Sequence, residues 1–345
     1  MTNESSQQPA AGAWPRIVCQ GELLLDFVAV GAEQSIQAAS TFQKAPGGAP
    51  ANVAVGVSRL GVPSGFIGKV SDDAFGRFLR ETLVADRVDV RGLVVDPRAR
   101  TPLAFVGQEP GGGRTWIFYH RGLADSTLRA DEVDLELVSR ARVFHFGSVG
   151  LAAEPGRSAT LEAARTAADR GCIVSFDPNV RLELWDSADE ARQWILDTLP
   201  LAEVLKVSGD ELAFLTEIDE PDRAAAALQR AGPPVVVVTL GSAGAYIRAG
   251  SNEATVPGFQ VNAVDATGAG DAFVAGLLTQ LVEGNVWPGQ RPMADLVEAV
   301  RFANATAALS TTQVGAIPSL PHREAVEGLL ARGGGGSAGG GSAGG

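Results

Sequence analysis

The chain has 345 residues, 45% of them hydrophobic and 20% charged, which is ordinary for a globular protein large enough to bury a substantial core. Its formal net charge of −12 argues against binding to a nucleic acid or an anionic membrane surface, and no apolar run approaches the length of a transmembrane helix. Cys19 and Cys172 lie far apart, and the polar start lacks the apolar centre of a signal peptide. We expect a cytoplasmic protein that binds neither nucleic acid nor membrane.

Both ends of the chain are expected to lie outside the folded domain. Residues 1–15 are mostly small or polar and predict a disordered tail. Residues 332–345 are dominated by Gly, Ser and Ala and predict an appended flexible linker. Residues 16–331 then form a single domain.

The first third of this domain mixes regular elements with two irregular excursions. Residues 16–30, RIVCQGELLLDFVAV, predict one strand, and residues 49–61, APANVAVGVSRLG, predict a helix with an apolar face. Residues 31–46 lack a helical period, and residues 99–121 contain a β-hairpin pattern around a glycine-rich turn. We expect the two excursions to pair into a small β-sheet that acts as a lid.

From residue 142 onward, strands alternate with helices. Four short β-rich segments, at 142–150, 172–179, 203–209 and 233–241, are separated by segments with helical spacing of Ala, Leu, Arg and Glu. The last, PPVVVVTLG, is typical of a strand buried on both faces of a parallel sheet. The succession predicts an open α/β sheet with helices on both faces, which binds ligands at the carboxyl ends of its strands.

Two stretches in the first third carry polar residues that could bind a ligand. Asp26 lies in an otherwise apolar strand, where a carboxylate is unfavourable unless it has a partner, although it could also mark an exposed strand end. In GGAPANVA, Gly47 and Gly48 let a ligand approach the backbone, and Asn52 offers a donor and an acceptor. The alternative for this second stretch is a helix start with small residues that serve packing.

The most informative stretch is DATGAGDAF, residues 265–273, a glycine-rich loop that leads into an apolar helix. Successive N–H groups of Gly268, Ala269 and Gly270 suit an anion at a helix start. Asp271 could be a helix cap, but a cap needs no G-A-G before it. A carboxylate beside an anion hole suits removal of a proton from a hydroxyl while the hole stabilises a phosphoryl group in transfer. We therefore predict phosphoryl transfer with Asp271 as the base.

The chain also resembles a known family. GGAPANVAVGVSRLG and DATGAGDAFVAGLL resemble the two signature regions of the ribokinase-like (PfkB) carbohydrate kinases, and the likeness extends from about residue 17 to 331. Within the family, GELLLDF and GGAPANVA are most similar to the fructokinases. The resemblance implies an open, mostly parallel sheet with helices on both faces plus a small β-sheet lid. It also implies ATP, Mg²⁺ and K⁺ as cofactors and is compatible with a homodimer formed through the lid.

The resemblance implies a role for each of several residues. Catalysis would fall to Asp271 as base, to Gly268, Ala269 and Gly270 as anion hole, and to Arg181 near the substrate and the transferred phosphate. The implied substrate-binding residues are Asp26, Gly47, Gly48, Asn52, Phe105, Tyr119 and Arg121. The implied nucleotide-binding residues are Lys206, Thr239, Gly241, Gly244 and Asn304. Glu211 would organise Mg²⁺ through water, and the implied K⁺ site comprises Asp265, Thr267, Ser310, Gly315 and Ser319.

Two departures from the family pattern bear on these roles. The family's N-x-x-E magnesium motif has Ser208 in place of Asn. Fructokinases usually carry F-Y-R-N-P-x-A-D where this chain reads FYHRGLAD, so His120 and Arg121 replace Arg and Asn. Tyr119 and Arg121 are instead reminiscent of 2-keto-3-deoxygluconate kinases, in which the arginine serves the substrate's carboxylate. A solvated hairpin charge is the alternative for Arg121.

We predict an ATP-dependent kinase that phosphorylates the terminal hydroxymethyl group of D-fructose to give fructose 6-phosphate. The enzyme alternative is a 2-keto-3-deoxygluconate kinase. The alternative from another class is a noncatalytic sugar-sensing or scaffold protein on the same fold, against which the intact Asp271 and G-A-G argue. His145 and His322 have no partner spacing and are expected to be structural.

Overall fold

The computed structural model describes residues 14–30, 35–108, 114–284 and 287–333. Most of the two predicted tails, and the turn of the predicted hairpin, lie outside the described residues. Trp14 is the first described residue. Its indole packs between the guanidinium groups of Arg91 and Arg140, at 4.4 and 3.6 Å from its ring centroid. The packed part of the chain therefore begins before the predicted boundary at residue 16.

The described residues form thirteen strands in two sheets. In chain order they are β1 (Ile17–Gln20), β2 (Leu24–Ala29), β3 (Phe42–Gly47), β4 (Ser64–Ser71), β5 (Leu93–Asp96), β6 (Leu103–Gln108), β7 (Arg114–Tyr119), β8 (Val143–Gly147), β9 (Ile173–Asp177), β10 (Val204–Ser208), β11 (Val235–Thr239), β12 (Gly244–Ala249) and β13 (Asn252–Pro257). The main sheet has nine strands in the order β13-β12-β11-β10-β9-β8-β1-β4-β5, and the small sheet has four in the order β3-β2-β6-β7.

Ten α-helices connect the strands in the described part of the chain. They are α1 (Ala49–Arg59), α2 (Ala74–Ala85), α3 (Leu135–Arg140), α4 (Gly156–Asp169), α5 (Ala188–Thr198), α6 (Gly209–Thr216), α7 (Pro221–Arg230), α8 (Ala269–Glu283), α9 (Met293–Ser310) and α10 (Arg323–Gly333). None of the helices in the described ranges is long and apolar enough to cross a membrane.

Helices cover both faces of the main sheet, because successive side chains of each strand point to opposite faces. In β8, Val143 packs into the hydrophobic core shared with α1, α8 and α9, whereas Phe144 packs into the core shared with α4, α5 and α7. Seven strands of the sheet run parallel, and β12 and β13 add an antiparallel edge. The predicted open, mostly parallel α/β sheet is confirmed. Cys19 and Cys172 are buried and free, as small apolar residues would be.

The small sheet confirms the predicted lid but corrects its membership. Residues 16–30, predicted to form one strand, form two strands in different sheets: β1 lies in the main sheet and β2 in the lid. In the lid, β2 pairs antiparallel with β3 and parallel with β6, and β6 and β7 form the predicted hairpin. The chain turns between the two strands at Gly21, where a Cβ would lie 2.5 Å from Cγ of Pro50. Asp26 therefore belongs to the lid.

Candidate active site

A cavity of about 500 Å³ lies between the lid and the carboxyl ends of the central strands. Its walls come from the loop after β1, the first turn of α1, the inner face of the lid, the ends of β9 and β10, and the loop before α8. The predicted site residues that line it are Asp26, Gly48, Asn52, Arg181, Lys206, Glu211, Thr267, Gly268, Gly270 and Asp271. Residues from both the lid and the main domain therefore meet in one space.

Asp271 lies in the first turn of α8 and is buried. Its Oδ2 accepts a hydrogen bond from Nδ2 of Asn52 at 2.7 Å, and its Oδ1 accepts one from Nδ2 of Asn179 at 3.3 Å. No side chain caps α8, so the helix-cap alternative for Asp271 is wrong. The carboxylate is instead directed across the cavity toward α1 and the loop after β9.

The protonation of Asp271 is set by opposing effects. Burial raises its pKa above the usual value, whereas the hydrogen bond from Asn52 and the positive charges of Lys206 and Arg181 act against that rise. A carboxylate with a raised pKa is a better proton acceptor than an exposed one, and it stays ionised above that pKa. The position therefore suits a general base.

The loop before α8 has a backbone that only glycine adopts readily. Gly268 is left-handed, with φ of 75°, and a Cβ there would lie 3.0 Å from Cα and Cβ of Ala316. The N–H of Ala269 donates to the carbonyl of Ala266 at 3.2 Å, so one of the three amides predicted for the anion hole is used within the loop. Gly268 and Gly270 line the cavity.

A lysine from another strand stands beside this loop, which itself contains none. Nζ of Lys206, on β10, would lie 3.3 Å from a Cβ at Gly270 and donates to Oδ2 of Asp177 at 2.9 Å. Both side chains are buried. Burial lowers the pKa of the ammonium, but the negative charges of Asp177 and Glu211 outweigh that effect and raise it. Lys206 is therefore a fixed positive charge next to the loop.

Glu211 holds two backbone segments together. Its Oε2 accepts from the N–H of Ser208 and its Oε1 from the N–H of Val180, both at 2.7 Å, while Oγ of Ser208 accepts from the N–H of Glu211. This capping box starts α6. Burial alone would raise the pKa of Glu211, but the charge of Lys206 and these hydrogen bonds hold it below its usual value. The ionised carboxylate faces the cavity.

The predicted glycine pair lies against two other polar residues, Asp26 and Glu22. A Cβ at Gly47 would lie 2.4 Å from Oδ2 of Asp26, and one at Gly48 would lie 2.3 Å from the carbonyl oxygen of Glu22. Gly48 lines the cavity, whereas Gly47 lies behind Asp26. Close packing therefore explains the two glycines at least as well as contact with a ligand does.

Besides Gly47, three predicted substrate residues lie outside the cavity lining. Side chains alternate along β7, so Trp116, Phe118 and His120 line the cavity, while Tyr119 is 56% exposed on the other face. Phe105 packs against Tyr119 on that outer face. Arg121 pairs with Asp186, and its side chain is 56% exposed, as its solvated alternative implies. The substrate-binding prediction for Phe105, Tyr119 and Arg121 thus has no support from the cavity lining and stays a prediction.

The predicted nucleotide residues other than Lys206 form the next part of the same sheet edge. Thr239 ends β11 and is paired with Ser208 of β10. Gly241 and Gly244 flank the turn that follows. Nδ2 of Asn304 donates to the carbonyls of Val256 and Pro257 at 3.0 and 3.2 Å, which fixes α9 against β13. These residues lie beside the cavity rather than in its lining.

Two residues of the predicted K⁺ site, Thr267 and Gly315, donate hydrogen bonds to Asp265. Its Oδ1 accepts from the N–H and Oγ1 of Thr267 at 2.8 and 2.7 Å, and its Oδ2 accepts from the N–H of Gly315 at 2.9 Å. The hydroxyls of Ser310 and Ser319 donate to nearby carbonyls. Asp265 thus joins the loop before α8 to the segment after α9. No group of three or more His, Cys, Asp or Glu suited to a metal ion occurs among the described residues.

Several polar residues of the site were not assigned a role from the sequence. Glu22, Asn179 and His120 line the cavity, and Asp177 lies behind it, paired with Lys206. Their common signal is that Glu22, Asp177 and Asn179 stand at or just past the carboxyl end of a central strand. The structural prediction for His145 fits its placement: Nδ1 lies 3.1 Å from Oγ of Ser175, and burial lowers its pKa to about 3.

Comparison with known proteins places these features in context. The sequence model described as pfkB family carbohydrate kinase matches residues 15–323. The chain is 47% identical over 315 residues to Fructokinase-1 of Zea mays, covering 91% of this chain and 97% of the relative.

Two solved structures share the fold. A fructokinase double mutant from Vibrio cholerae O395, in fructose, ADP and potassium ion bound form, has a TM-score of 0.83 at 36% identity, covering 92% of this chain and 98% of that one. Fructokinase with bound ATP from Xylella fastidiosa has a TM-score of 0.82 at 31% identity, with the same coverage. The ribokinase-like fold implied by the two signature regions is confirmed.

Proposed function

We propose, since the chain belongs to the pfkB family of carbohydrate kinases, that it is a fructokinase that transfers the γ-phosphoryl group of ATP to the terminal hydroxymethyl group of D-fructose. The observation that carries the proposal is the buried carboxylate of Asp271, at the first turn of α8, which faces the same cavity as Asp26 and Asn52. The fructokinases that the chain resembles over nine-tenths of its length support the choice of sugar. The products are fructose 6-phosphate and ADP.

In the proposed reaction, Asp271 takes the proton from the hydroxymethyl oxygen. The oxygen forms a bond to the γ-phosphorus as the bond from that phosphorus to the bridging oxygen of ADP breaks. The N–H groups of Gly268 and Gly270 and the ammonium of Lys206 stabilise the negative charge on the phosphoryl oxygens, and Arg181 adds a second positive charge from the loop after β9. The low exposure of Asp271 and Lys206 strengthens these interactions.

Two cations complete the proposal. Glu211, which is ionised and faces the cavity, would hold Mg²⁺ through water, since each oxygen keeps a lone pair beyond its backbone hydrogen bond. Bound Mg²⁺ neutralises charge on the β- and γ-phosphates. K⁺ would bind among oxygens of Asp265, Thr267 and the segment that contains Ser310, Gly315 and Ser319. ATP would lie across the sheet edge toward Thr239, Gly241, Gly244 and Asn304.

The lid supports a neutral ketose over a sugar acid. Asp26 offers an acceptor to hydroxyl groups and would repel a carboxylate. Arg121, the residue that would favour 2-keto-3-deoxygluconate, pairs with Asp186 outside the cavity lining. Its guanidinium also donates to the carbonyl of Leu184, a lining residue, at 3.4 Å. The support for a neutral ketose therefore comes from Asp26 and from the ion pair that engages Arg121.

The outer face of the lid is proposed as the contact of a homodimer. Phe27 and Phe105 stack there at 5.3 Å, and Ile117 and Tyr119 are 43% and 56% exposed. Exposed apolar faces of this kind mark protein contacts. Ile117→Lys should lower the dimer fraction in sedimentation experiments, whereas Val95→Lys, at an equally exposed site on β5, should not. Identical monomeric behaviour of the parent and both variants would contradict this contact.

The experiment that tests the proposed function measures ADP release with MgATP against fructose, other ketoses, and 2-keto-3-deoxygluconate. The phosphorylated carbon of the product is identified by ³¹P NMR. We expect the highest kcat/KM with fructose and a phosphate at carbon 6. A parent enzyme that prefers 2-keto-3-deoxygluconate would replace the proposal with the sugar-acid kinase, and no turnover on any sugar would favour the noncatalytic alternative.

A further inference from the structure

A buried cluster of charged side chains lies at the part of the cavity that contains Asp26. The proposed reaction does not use this cluster. His120 follows β7, and its Nδ1 lies 2.8 Å from Oδ2 of Asp125. The His120 and Asp125 side chains are only 6% and 1% exposed. His120 nevertheless lines the cavity, together with Glu22 and Asp26. One edge of the ring therefore faces a carboxylate, which leaves Nε2 as the nitrogen for a ligand.

Glu22 connects this cluster to the start of α1. Its Oε1 accepts from the N–H of Ala49 at 2.7 Å, whereas its buried Oε2 has no hydrogen-bond partner in the described part of the chain. A second, small cavity of about 20 Å³ lies against Glu22, His120, Asp125 and Gln20. The volume is enough for one water molecule, which the open oxygen of Glu22 and the amide of Gln20 could hold. The cluster is thus a built polar site.

Neighbouring negative charges favour the protonated form of His120. Burial by itself lowers its pKa, and the neighbouring Arg121 acts in the same direction. The negative charges of Asp125 and Glu22 outweigh both and raise the pKa above the usual value. Glu22 is itself shifted, since burial raises its pKa to about 7. The protonation states of His120 and Glu22 are therefore coupled.

We propose that His120 is a substrate-positioning residue whose imidazolium, paired with the Asp125 carboxylate on its Nδ1 side, donates Nε2–H to a hydroxyl group of the sugar. The inference rests on the proposed function and specifies how the same site holds its sugar. A charge-assisted hydrogen bond is shorter and stronger than a neutral one. Loss of the proton turns Nε2 from a donor into an acceptor and removes the charge, so sugar affinity falls as the pH rises above the pKa of His120.

The first test measures fructose affinity by calorimetry without ATP, and kcat/KM for fructose at saturating MgATP, from about pH 6 to about pH 9. In the parent, both should weaken toward high pH. His120→Arg keeps a permanent charge and should remove that dependence, whereas His120→Gln should bind fructose about tenfold to a hundredfold more weakly with little dependence on pH. His322→Gln, at an exposed site, is the matched control and should behave as the parent does.

The second test needs no variant in the site. The chain has three histidines, and the low pKa of His145 leaves His120 and the exposed His322 to follow by ¹⁵N NMR of the imidazole rings. Because fructose binds the protonated form better, saturating fructose should raise the pKa of His120 and leave His322 unchanged. An unchanged pKa of His120 in the saturated protein would overturn the proposal. If the parent binds no fructose, the proposed function fails instead, and the same titration with the preferred sugar of the panel decides the role of His120.

Discussion

Both carboxylate oxygens of Asp271 accept hydrogen bonds from side-chain amides of two other segments, so replacement by Asn removes the proton acceptor and one of these acceptor oxygens. Asp271→Asn should lower kcat by about 10² to 10⁴, because a general base is removed while the shape of the side chain is kept. ATP binding and the melting temperature should stay close to those of the parent. Asp189→Asn, at a side chain that is 94% exposed, is the control. Near-normal turnover of Asp271→Asn would show that the base lies elsewhere.

The buried pair of Lys206 and Asp177 allows stability and turnover to be separated. Lys206→Met leaves the Asp177 carboxylate buried without its partner, which typically costs about 3–5 kcal/mol in the free energy of unfolding. The double variant Lys206→Met, Asp177→Asn should regain most of that stability in denaturant titrations. We expect its kcat to remain low, since the positive charge beside the Gly270 loop is still missing. A double variant with parental kcat would reduce Lys206 to a structural role.

Helices α1 and α8 owe their close approach to two small residues. A Cβ at Gly56 would lie 2.7 Å from Cβ of Ala275. These two residues stand four positions after Asn52 and Asp271 on their helices, so the crossing point lies about one turn from the hydrogen bond between those side chains. The spacing of the helices therefore sets the geometry of the predicted base.

Gly56→Ala should force these helices apart. We expect a loss of about 1–3 kcal/mol in the free energy of unfolding, together with a lower kcat. Moving the small residue to the other helix, in Gly56→Ala with Ala275→Gly, should restore both quantities. Gly328→Ala, in α10, has only ordinary contacts around the added Cβ and should not destabilise the protein. If the double variant is as unstable and as slow as Gly56→Ala, the losses do not arise from the contact between these two helices.

The elements of the main sheet could be predicted from the sequence because their pattern is local. The four β-rich segments from residue 142 onward became β8 to β11, with helices where the helical spacing indicated them. The break in residues 16–30 was missed because the run of three leucines conceals the turn at Gly21. The sequence also could not predict which face of β7 points into the cavity, because this depends on the pairing of β7 with β6. Lys206 and Asp177 lie 29 positions apart on neighbouring strands, and only the sheet register brings them together.

At the scale of the whole molecule, Asp265 joins segments about 50 positions apart in the chain, the loop before α8 and the segment after α9. A monovalent cation bound between these segments would order the loop that contains Gly268 and Gly270. We expect kcat to rise when K⁺ replaces a large organic cation at constant ionic strength, in coupled assays with saturating fructose. Activity that is equal in both buffers would show that the loop is ordered without the cation.

The division of the chain after β1 has a consequence for how ATP is used. Asp26 belongs to the lid sheet, whereas Asp271 belongs to a helix of the main domain, and the two face one cavity. A sugar that fills this cavity of about 500 Å³ can contact the lid and the main domain together, whereas a single water molecule cannot fill it. We therefore expect water alone to be a poor acceptor of the phosphoryl group, because it cannot contact the lid and the base at the same time. The same strand break that places Asp26 in the lid would thus limit the wasteful hydrolysis of ATP when sugar is absent.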